Sequence, residues 1–223
     1  MREAKESKRI VLIHALSASI APIQAAFAQA WPAAEAVNLM DDSLSVDRAR
    51  DGCLSAHMTA RFKTLTDYAV GNDADAVLFT CSAFHEAIDA ARADLSIPVL
   101  TPDEAMMERA LEIGGRIRML ATFEPTLATA TQAMHVIAAR AGKVVDVQAV
   151  HVVNALAALQ AGDSARHERL IVSCAAQQTD CDVILLAQFS MSSAAAAVQA
   201  AVACPVLTSP ATAVAKLKTL LAQ

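Results

Sequence analysis

The sequence is poor in aromatic residues and carries little net charge, and both shortages argue against a nucleic-acid partner. Phe, Trp and Tyr together make up 4% of the 223 residues, and the formal net charge is −5. The Lys and Arg residues are scattered along the chain, without a basic stripe and without aromatic residues between them. Nucleic-acid-binding surfaces need clustered positive charge, so we do not expect a nucleic-acid partner.

Long apolar runs, metal-binding spacings and nucleotide-binding motifs are also missing. No apolar run reaches the roughly 20 residues that span a bilayer, so we expect no membrane partner. The five cysteines are an odd number without a CxxC spacing, and no HExxH, GxGxxG or Walker loop occurs. We therefore expect neither a zinc site nor a disulfide framework, but reduced cysteines in a cytoplasmic protein.

Aliphatic residues are what the sequence has in quantity. Hydrophobic residues make up 55% of the chain, much of it alanine. This is ample for the core of one large domain or of two small ones. Ala-rich helices on a sheet of Val, Ile and Leu would explain both the apolar content and the shortage of rings.

Three kinds of segment occur twice, each time at an offset of 107 residues. They are an acidic pair before an apolar run, the tetrapeptide Pro-Val-Leu-Thr, and Arg-Ile before an apolar run. The matching segments are 73–84 and 180–191, 98–101 and 205–208, and 9–14 and 116–121. A period of about half the chain indicates duplication of a domain, because solenoid repeats are much shorter. The apolar run at 10–14, with basic residues before it, resembles the start of a signal peptide. Because it recurs in mid-chain, we predict an internal strand there.

The apolar runs predict short buried strands that alternate with helices. They lack polar–apolar alternation, which is typical of a parallel sheet covered on both faces. The predicted strands are 10–14, 77–80, 97–100, 117–121, 145–150 and 183–187, and one long helix is predicted over 46–70.

These elements predict an α/β protein of two duplicated, doubly wound lobes with parallel sheets, related by an approximate twofold. The first lobe would cover residues 1–110 and the second 111–223, and the C-terminal helix of the chain could pack on the first lobe. Ligands of such sheets bind beyond the carboxyl ends of the strands, so we expect an active-site cleft between the lobes. The repeat then makes Gln188 the partner position of Cys81.

Cys81 follows a predicted strand and directly precedes a helix. The free N–H groups and the positive end of the helix dipole lower the pKa of a thiol in such a position. The alternative is an inert packing cysteine, since free cysteines are often buried. The other four cysteines, Cys53, Cys174, Cys181 and Cys204, have no comparable setting, and we interpret them as packing residues.

Residues 80–82, Thr-Cys-Ser after an apolar strand, resemble the first catalytic-cysteine motif of the aspartate/glutamate/hydantoin racemase superfamily. The two-lobe plan is similar too, as is Ile-Pro-Val at 97–99 followed by Glu-Ala at 104–105. The resemblance covers nearly the whole chain. It implies an enzyme without cofactor or metal, because the racemases, maleate isomerases and arylmalonate decarboxylases of this superfamily need neither.

The resemblance also implies two thiols on opposite faces of the substrate carbon, one removing the α-proton and the other delivering a proton. Cys81 matches the first thiol, but Gln188 stands where the second is expected. An amide cannot act as a base near neutral pH. We therefore expect a racemase-like enzyme that acts next to the carboxylate of a small acid, with Cys81 as acid/base or nucleophile.

The departure at Gln188 leaves several functions open. One thiol could protonate an enediolate after decarboxylation, or add to a double bond during cis–trans isomerisation of a dicarboxylate. His14 or His151 could supply a second base. A binding or sensor protein without catalysis is the remaining alternative, and a homodimer is possible.

Small or hydroxyl-bearing residues at other predicted strand ends are candidates for holding the substrate carboxylate. A hydroxyl group there could instead cap a helix. The candidates are Ser17, Ser82, Ala83, Thr122, Phe123 and Ser190. We expect the loops around 41–57 and 151–165 to set specificity.

Overall fold

The computed structural model describes residues 7–222, which form two compact units. One unit consists of the residues up to Pro102 and those from Ala213 onward, and the other of Asp103–Thr212. Each unit contains a four-stranded parallel sheet. The strands are β1 (Arg9–His14), β2 (Glu35–Met40), β3 (Ala76–Phe79) and β4 (Val99–Leu100) in the first unit, and β5 (Arg116–Ala121), β6 (Asp146–His151), β7 (Val183–Leu186) and β8 (Val206–Thr208) in the second.

Helices connect successive strands in both units. They are α1 (Ile20–Ala30), α2 (Ser43–Asp51), α3 (Ala56–Gly71), α4 (His85–Arg92), α5 (Glu104–Ile113), α6 (Pro125–Arg140), α7 (Ala155–Gln160), α8 (Ser164–Ala175), α9 (Ala195–Ala201) and α10 (Ser209–Leu221). Short 3-10 turns at Ser17–Ser19, Ser82–Phe84 and Phe189–Ala194 follow β1, β3 and β7. Among the residues from 7 to 222, no helix is long and apolar enough to cross a membrane.

The two sheets have the same strand order, β2-β1-β3-β4 and β6-β5-β7-β8, and every pairing is parallel. In the second sheet Met119 and Leu185 face α5 and α6, whereas Leu120 and Ile184 face the core formed with α8 and α9. Burial of both faces is why these strands are apolar without alternation. The predicted α/β class with two similar parallel-sheet lobes is confirmed.

Aromatic residues cover one face of the first sheet, next to the end of β3. The ring of Phe62 stacks on that of Phe79, with centroids 5.2 Å apart, and lies 4.9 Å from the ring of Phe84. All three rings are buried, and Cys81 packs against the same cluster. Half of the six Phe residues of the chain therefore lie around the predicted catalytic thiol.

The duplication is regular at three strands of each sheet and irregular at the edge strands β2 and β6. The offset that relates the start of β1 to that of β5 also relates the start of β3 to that of β7. The same offset from Glu35, where β2 begins, leads to Gly142, whereas β6 begins at Asp146. The offset that relates the repeated segments therefore holds for β1, β3 and β4 and their counterparts, but does not extend to β2. The difference arises because α6 has 16 residues and α1 has 11.

A carboxylate from each repeated acidic pair fixes the start of the central strand. Asp75 accepts a hydrogen bond from the backbone N–H of Arg9 (2.8 Å), and Asp182 accepts one from that of Arg116 (2.9 Å). The hydrogen bond from the Arg116 side chain holds the pKa of the Asp182 carboxyl below its ordinary value. A Cβ at Gly114 would overlap the side chain of Asp182, so this approach requires glycine. The acidic pairs therefore serve the fold.

Three details of the predicted secondary structure were wrong, and one of them is that the short strand β8 was not predicted. The helix predicted over 46–70 is broken, because Gly52 (φ +66°) ends α2 in the left-handed region. Ser55 then caps α3, its hydroxyl accepting from the N–H of Met58 (3.2 Å). β2 was missed because it is a half-exposed edge strand that carries Glu35 and Asn38, so it lacks the apolar run of the inner strands.

The boundary between the two units lies between Pro102 and Asp103, whereas the predicted first lobe extended to residue 110. Met106, Met107 and Leu111 of α5 pack against the second sheet, which assigns this helix to the second unit. The C-terminal part of α10 belongs to the first unit, where the Lys218 ammonium donates to the carbonyl of Ala30 (3.2 Å).

Candidate active site

The predicted site residues lie at the carboxyl ends of the two central strands of each unit. In the first unit β1 pairs with β3, so the segment after His14 lies beside the segment that begins at Thr80. In the second unit β5 pairs with β7, so the segment after Ala121 lies beside that of Gln188. Each unit is thus built to present groups from two loops at one sheet edge.

Cys81 directly precedes the 3-10 turn after β3, and its backbone is extended (φ −129°, ψ 119°). The thiol is half-buried and lines an apolar niche with His14, Phe79 and Phe84, in which there is no room for a water molecule. α4 begins only after this turn, at His85. Cys81 is therefore separated from the α-helix by a 3-10 turn, whereas the sequence predicted direct contact with a helix start.

Gln188 has the same backbone setting as Cys81 and a strongly held side chain. It directly precedes the 3-10 turn after β7 and is in an extended conformation (φ −140°, ψ 142°). Its Oε1 accepts hydrogen bonds from the N–H of Thr122 (2.6 Å), the Oγ1–H of Thr122 (2.8 Å) and the N–H of Phe123 (3.3 Å). The donors that we expected to hold a substrate carboxylate hold the Gln188 carboxamide oxygen.

The other predicted residues occupy the expected edges with different exposures. Ser17 is exposed in the turn after β1, Ser82 is half-buried, and Ala83 is exposed after Cys81. Ser190 is half-buried in the turn after Gln188. The structure thus brings Ser17, Ser82 and Ala83 to the edge that carries Cys81, and Ser190 to the edge that carries Gln188.

The two histidines considered as a second base lie in different settings. His151 ends β6 and is half-buried. His14 ends β1, has 0% of its surface exposed, and has both ring nitrogens engaged. Its Nε2–H donates to Oδ1 of Asn38 (2.9 Å), which also accepts from the Gln24 side chain (3.1 Å). A carboxamide oxygen only accepts, so these two donors define its orientation.

The remaining nitrogen of His14 is an acceptor within a hydroxyl network. Its Nδ1 lies 2.8 Å from the Thr80 hydroxyl and 3.0 Å from that of Ser19, and these two hydroxyls are 2.8 Å apart. Ser19 also donates to the carbonyl of Leu16 (2.8 Å). His14 therefore holds Thr80, the residue before Cys81, and has no nitrogen left for a substrate proton.

We predict that His14 makes folding stability fall below about pH 6.5. Burial is the main cause that lowers the pKa of His14, and the hydrogen bond to Asn38 opposes it only in part. The folded protein keeps the ring neutral, while the unfolded chain binds a proton near the ordinary pKa of about 6.5. Stability is therefore complete above that pH and is lost as the pH falls toward the lowered pKa. Urea unfolding at pH 7.5, 6.5 and 5.5 measures this loss.

The matched controls are two single substitutions. His14→Gln is expected to reduce the dependence on pH by up to one bound proton, whatever its effect on stability at pH 7.5. His57→Gln changes an exposed histidine, and should keep the wild-type slope. Equal slopes in all three proteins would show that His14 does not titrate on unfolding.

Sequence reasoning missed the network behind Cys81. Ser19 follows β1, Thr80 follows β3, and Asn38 lies within β2, which was not predicted. His85, at the start of α4, also fixes the turn, since its Nδ1 lies 2.6 Å from the carbonyl of Ser82. A polar residue directly before a strand-end cysteine was the one available signal.

No metal site was found among the side chains that the structure describes: no group of three or more His, Cys, Asp or Glu residues is arranged to hold an ion. The groups at the strand ends are a thiol, a fixed carboxamide, hydroxyls and backbone N–H groups. The carboxamide, the hydroxyls and the N–H groups can donate hydrogen bonds to a carboxylate, and the thiol can transfer a proton or add to a substrate.

This fold is that of a duplicated α/β protein, in which Cys81 and Gln188 occupy equivalent positions after β3 and β7. The chain belongs to the Asp/Glu/Hydantoin racemase family, whose model matches residues 14–217. The predicted superfamily is thereby confirmed, and with it a racemase-like enzyme. No curated protein sequence matches the chain significantly.

Solved structures of racemases share the fold over almost the entire chain. Allantoin racemase from Klebsiella pneumoniae is 21% identical, with a TM-score of 0.73 over 97% of this chain and 88% of that one. An aspartate racemase homologue from Pyrococcus horikoshii OT3 is 14% identical, with a TM-score of 0.75 over 97% and 100%. Arylmalonate decarboxylase is 16% identical, with a TM-score of 0.59 over 96% and 93%. At these identities the likeness concerns the fold.

Proposed function

We propose that this chain is a cofactor-independent enzyme that transfers a proton at the carbon next to the carboxylate of a small acid. Cys81 is the proton-transferring group, and Gln188 stabilises the negative charge of the intermediate as a hydrogen-bond donor. Membership of the racemase family supports the reaction class. The observation that carries the division of roles is the triple hydrogen bond to Oε1 of Gln188.

The fixed oxygen determines what Gln188 can offer a substrate. With Oε1 turned toward Thr122 and Phe123, the Nε2 amide is the end of the side chain left to face a ligand. An amide NH2 group donates two hydrogen bonds and does not accept a proton near neutral pH. A pre-oriented donor of this kind stabilises the charge that develops on an enediolate oxygen. Gln188 thus replaces a second base by an electrostatic group.

Cys81 has the setting of a reacting thiol. It lies at a strand end, half-buried against the Phe62, Phe79 and Phe84 cluster, which keeps water away from one side of the sulfur. His14 holds Thr80, the residue immediately before Cys81, through a hydrogen bond to its hydroxyl. Residues 15 and 16 are the repeat equivalents of Thr122 and Phe123, and we propose that their backbone N–H groups bind the substrate carboxylate beside the thiol.

One proton-transferring thiol has a stereochemical consequence. A single base returns the proton to the face from which it was removed, so the α-proton exchanges with solvent while the configuration is kept. Protonation of one face also suits decarboxylation of a malonate-type acid, in which the thiol delivers the only proton. This second candidate is favoured by the same asymmetry between Cys81 and Gln188.

Proton NMR in deuterium oxide against a panel of small acids tests the proposal. The panel contains aspartate, glutamate, hydantoin-type compounds, maleate and aryl- or alkylmalonates. We expect α-deuteration without racemisation, or release of carbon dioxide with one product enantiomer. Full racemisation would show that a second base acts opposite Cys81. Ligand-dependent thermal stabilisation without any turnover would instead indicate a small-acid sensor and contradict the proposal.

A further inference from the structure

Two cysteines away from the predicted active-site edge lie within bonding reach of each other. The sulfur atoms of Cys181 and Cys204 are 3.0 Å apart. Cys181 lies just before β7, and Cys204 just before β8. These strands are neighbours with Ile184 opposite Val206, and the N–H of Ile184 donates to the carbonyl of Pro205 (2.9 Å). The sheet therefore holds both thiols at adjacent strand starts.

The surroundings of the pair are specific to the second unit. Both thiols are half-buried and pack against the core of Leu186, Val198 and neighbouring residues. The equivalent positions of the first unit, one repeat earlier, are Ala74 and Ile97. The fold therefore does not require sulfur at either position. The pair also lies at the amino-terminal edge of the sheet, whereas Gln188 lies at the carboxyl edge.

We propose that Cys181 and Cys204 form a redox modification site, which closes to a disulfide when the protein meets a peroxide. One thiol sulfur attacks a peroxide oxygen, which breaks the O–O bond and gives a sulfenic acid and one water. The second sulfur then attacks the sulfenic sulfur, the S–O bond breaks, and another water leaves. In total two thiols and one hydrogen peroxide give one disulfide and two waters, with both thiol protons in the water.

The environment predicts a slow reaction with a durable product. Burial is the largest cause that raises the pKa of Cys181 to about 12, and the hydrogen bond to Cys204 adds to it. Little Cys181 thiolate is present at neutral pH, so attack of this sulfur on peroxide is slow. A thiol of high pKa is also a poor leaving group, so the disulfide resists exchange with glutathione. These properties suit protection under lasting oxidative stress better than a rapid signal.

The disulfide would enclose the segment that carries Gln188. Residues 181–204 contain β7, the 3-10 turn that begins at Phe189, and α9. A closed loop of this length raises stability by restricting the unfolded chain, and we expect a thermal midpoint higher by roughly 5 to 10 °C. Amide hydrogen exchange within 188–201 should slow in parallel, because opening of this segment becomes harder.

Peptide mapping of the full chain after peroxide treatment tests the site. Cleavage before aspartate residues places Cys181 and Cys204 in different peptides, since Asp182 lies between them and no aspartate follows it. After hydrogen peroxide treatment and alkylation of the remaining thiols, we expect a cross-linked pair of peptides that disappears on reduction. The same pair is expected from Cys174→Ser, which retains both partners, and not from Cys204→Ser.

The result that overturns the proposal is equally specific. If peroxide oxidises Cys81 or Cys174 while Cys181 and Cys204 remain alkylatable, the site does not exist. A disulfide between Cys174 and either partner would also refute it. If Cys204→Ser does not fold, Cys204→Ala tests the same point, because it also lacks the thiol. The reduced wild-type protein gives the uncrosslinked reference in either case.

Discussion

Cys81→Ala is expected to abolish turnover while leaving the protein folded. General acid–base catalysis by one positioned group contributes about 10² to 10⁴ in rate, and Cys81 is the group that transfers the proton in the proposed mechanism. We therefore expect kcat to fall by about 10³ or more on the acid identified in the NMR panel. Solvent deuterium should no longer enter the α-position, because removal and return of the proton use the same sulfur.

A second thiol in the same molecule provides the control for this substitution. Cys174→Ala removes a half-buried cysteine from within α8, and should retain turnover. Cys81→Ser keeps the size of the side chain but not the acidity of sulfur, and should resemble the alanine variant in rate. Normal turnover by Cys81→Ala, with a thermal midpoint equal to that of the wild type, would refute the catalytic role of this residue.

Gln188→Glu is expected to separate the structural role of the side chain from its catalytic role. A carboxylate oxygen can accept the same hydrogen bonds from Thr122 and Phe123, and charge assistance makes them at least as strong. Stability should therefore be kept or raised. The Nε2 donor, however, is lost, and the new negative charge repels the substrate carboxylate. We expect kcat/KM to fall by about 10² or more, as when an oxyanion donor is removed.

Gln177→Glu is the matched control, because it places the same charge on an exposed glutamine at the other edge of the same unit. It should change neither stability nor turnover appreciably. A Gln188→Glu protein that is as active as the wild type would show that the carboxamide donates nothing to the transition state. A destabilised Gln188→Glu protein would show that Oε1 is not the atom held by Thr122.

The repeat made the fold predictable to a large extent. Mainly apolar runs identified the inner strands β1, β3, β5 and β7, because strands buried on both faces need mostly apolar side chains. The edge strand β2 was not predicted, because it is partly exposed to solvent and its polar residues interrupt the apolar run. Gly52 was the available signal for the break between α2 and α3, and its positive φ became visible only in the folded backbone.

The candidate site was predictable in position and less so in contacts. The position of Cys81 and Gln188 follows from counting residues to the ends of aligned strands. That Thr122 holds Gln188, and that His14 is enclosed by Ser19, Asn38 and Thr80, depends on loops that meet across a sheet edge. Spacing along the chain contains no information about such meetings. Cys181 and Cys204 were interpreted as packing residues for the same reason, although their sulfurs lie together.

The sequence by itself determined the duplication, the α/β class and the asymmetric pair of Cys81 and Gln188, because each depends only on residue type and interval. The tertiary structure decided which groups remain available for chemistry. Hydrogen bonding and burial turned His14 from a possible base into a support for Thr80, and fixed the carboxamide oxygen of Gln188 against Thr122. These outcomes depend on three-dimensional proximity, and proximity between distant segments exists only once both sheets have formed.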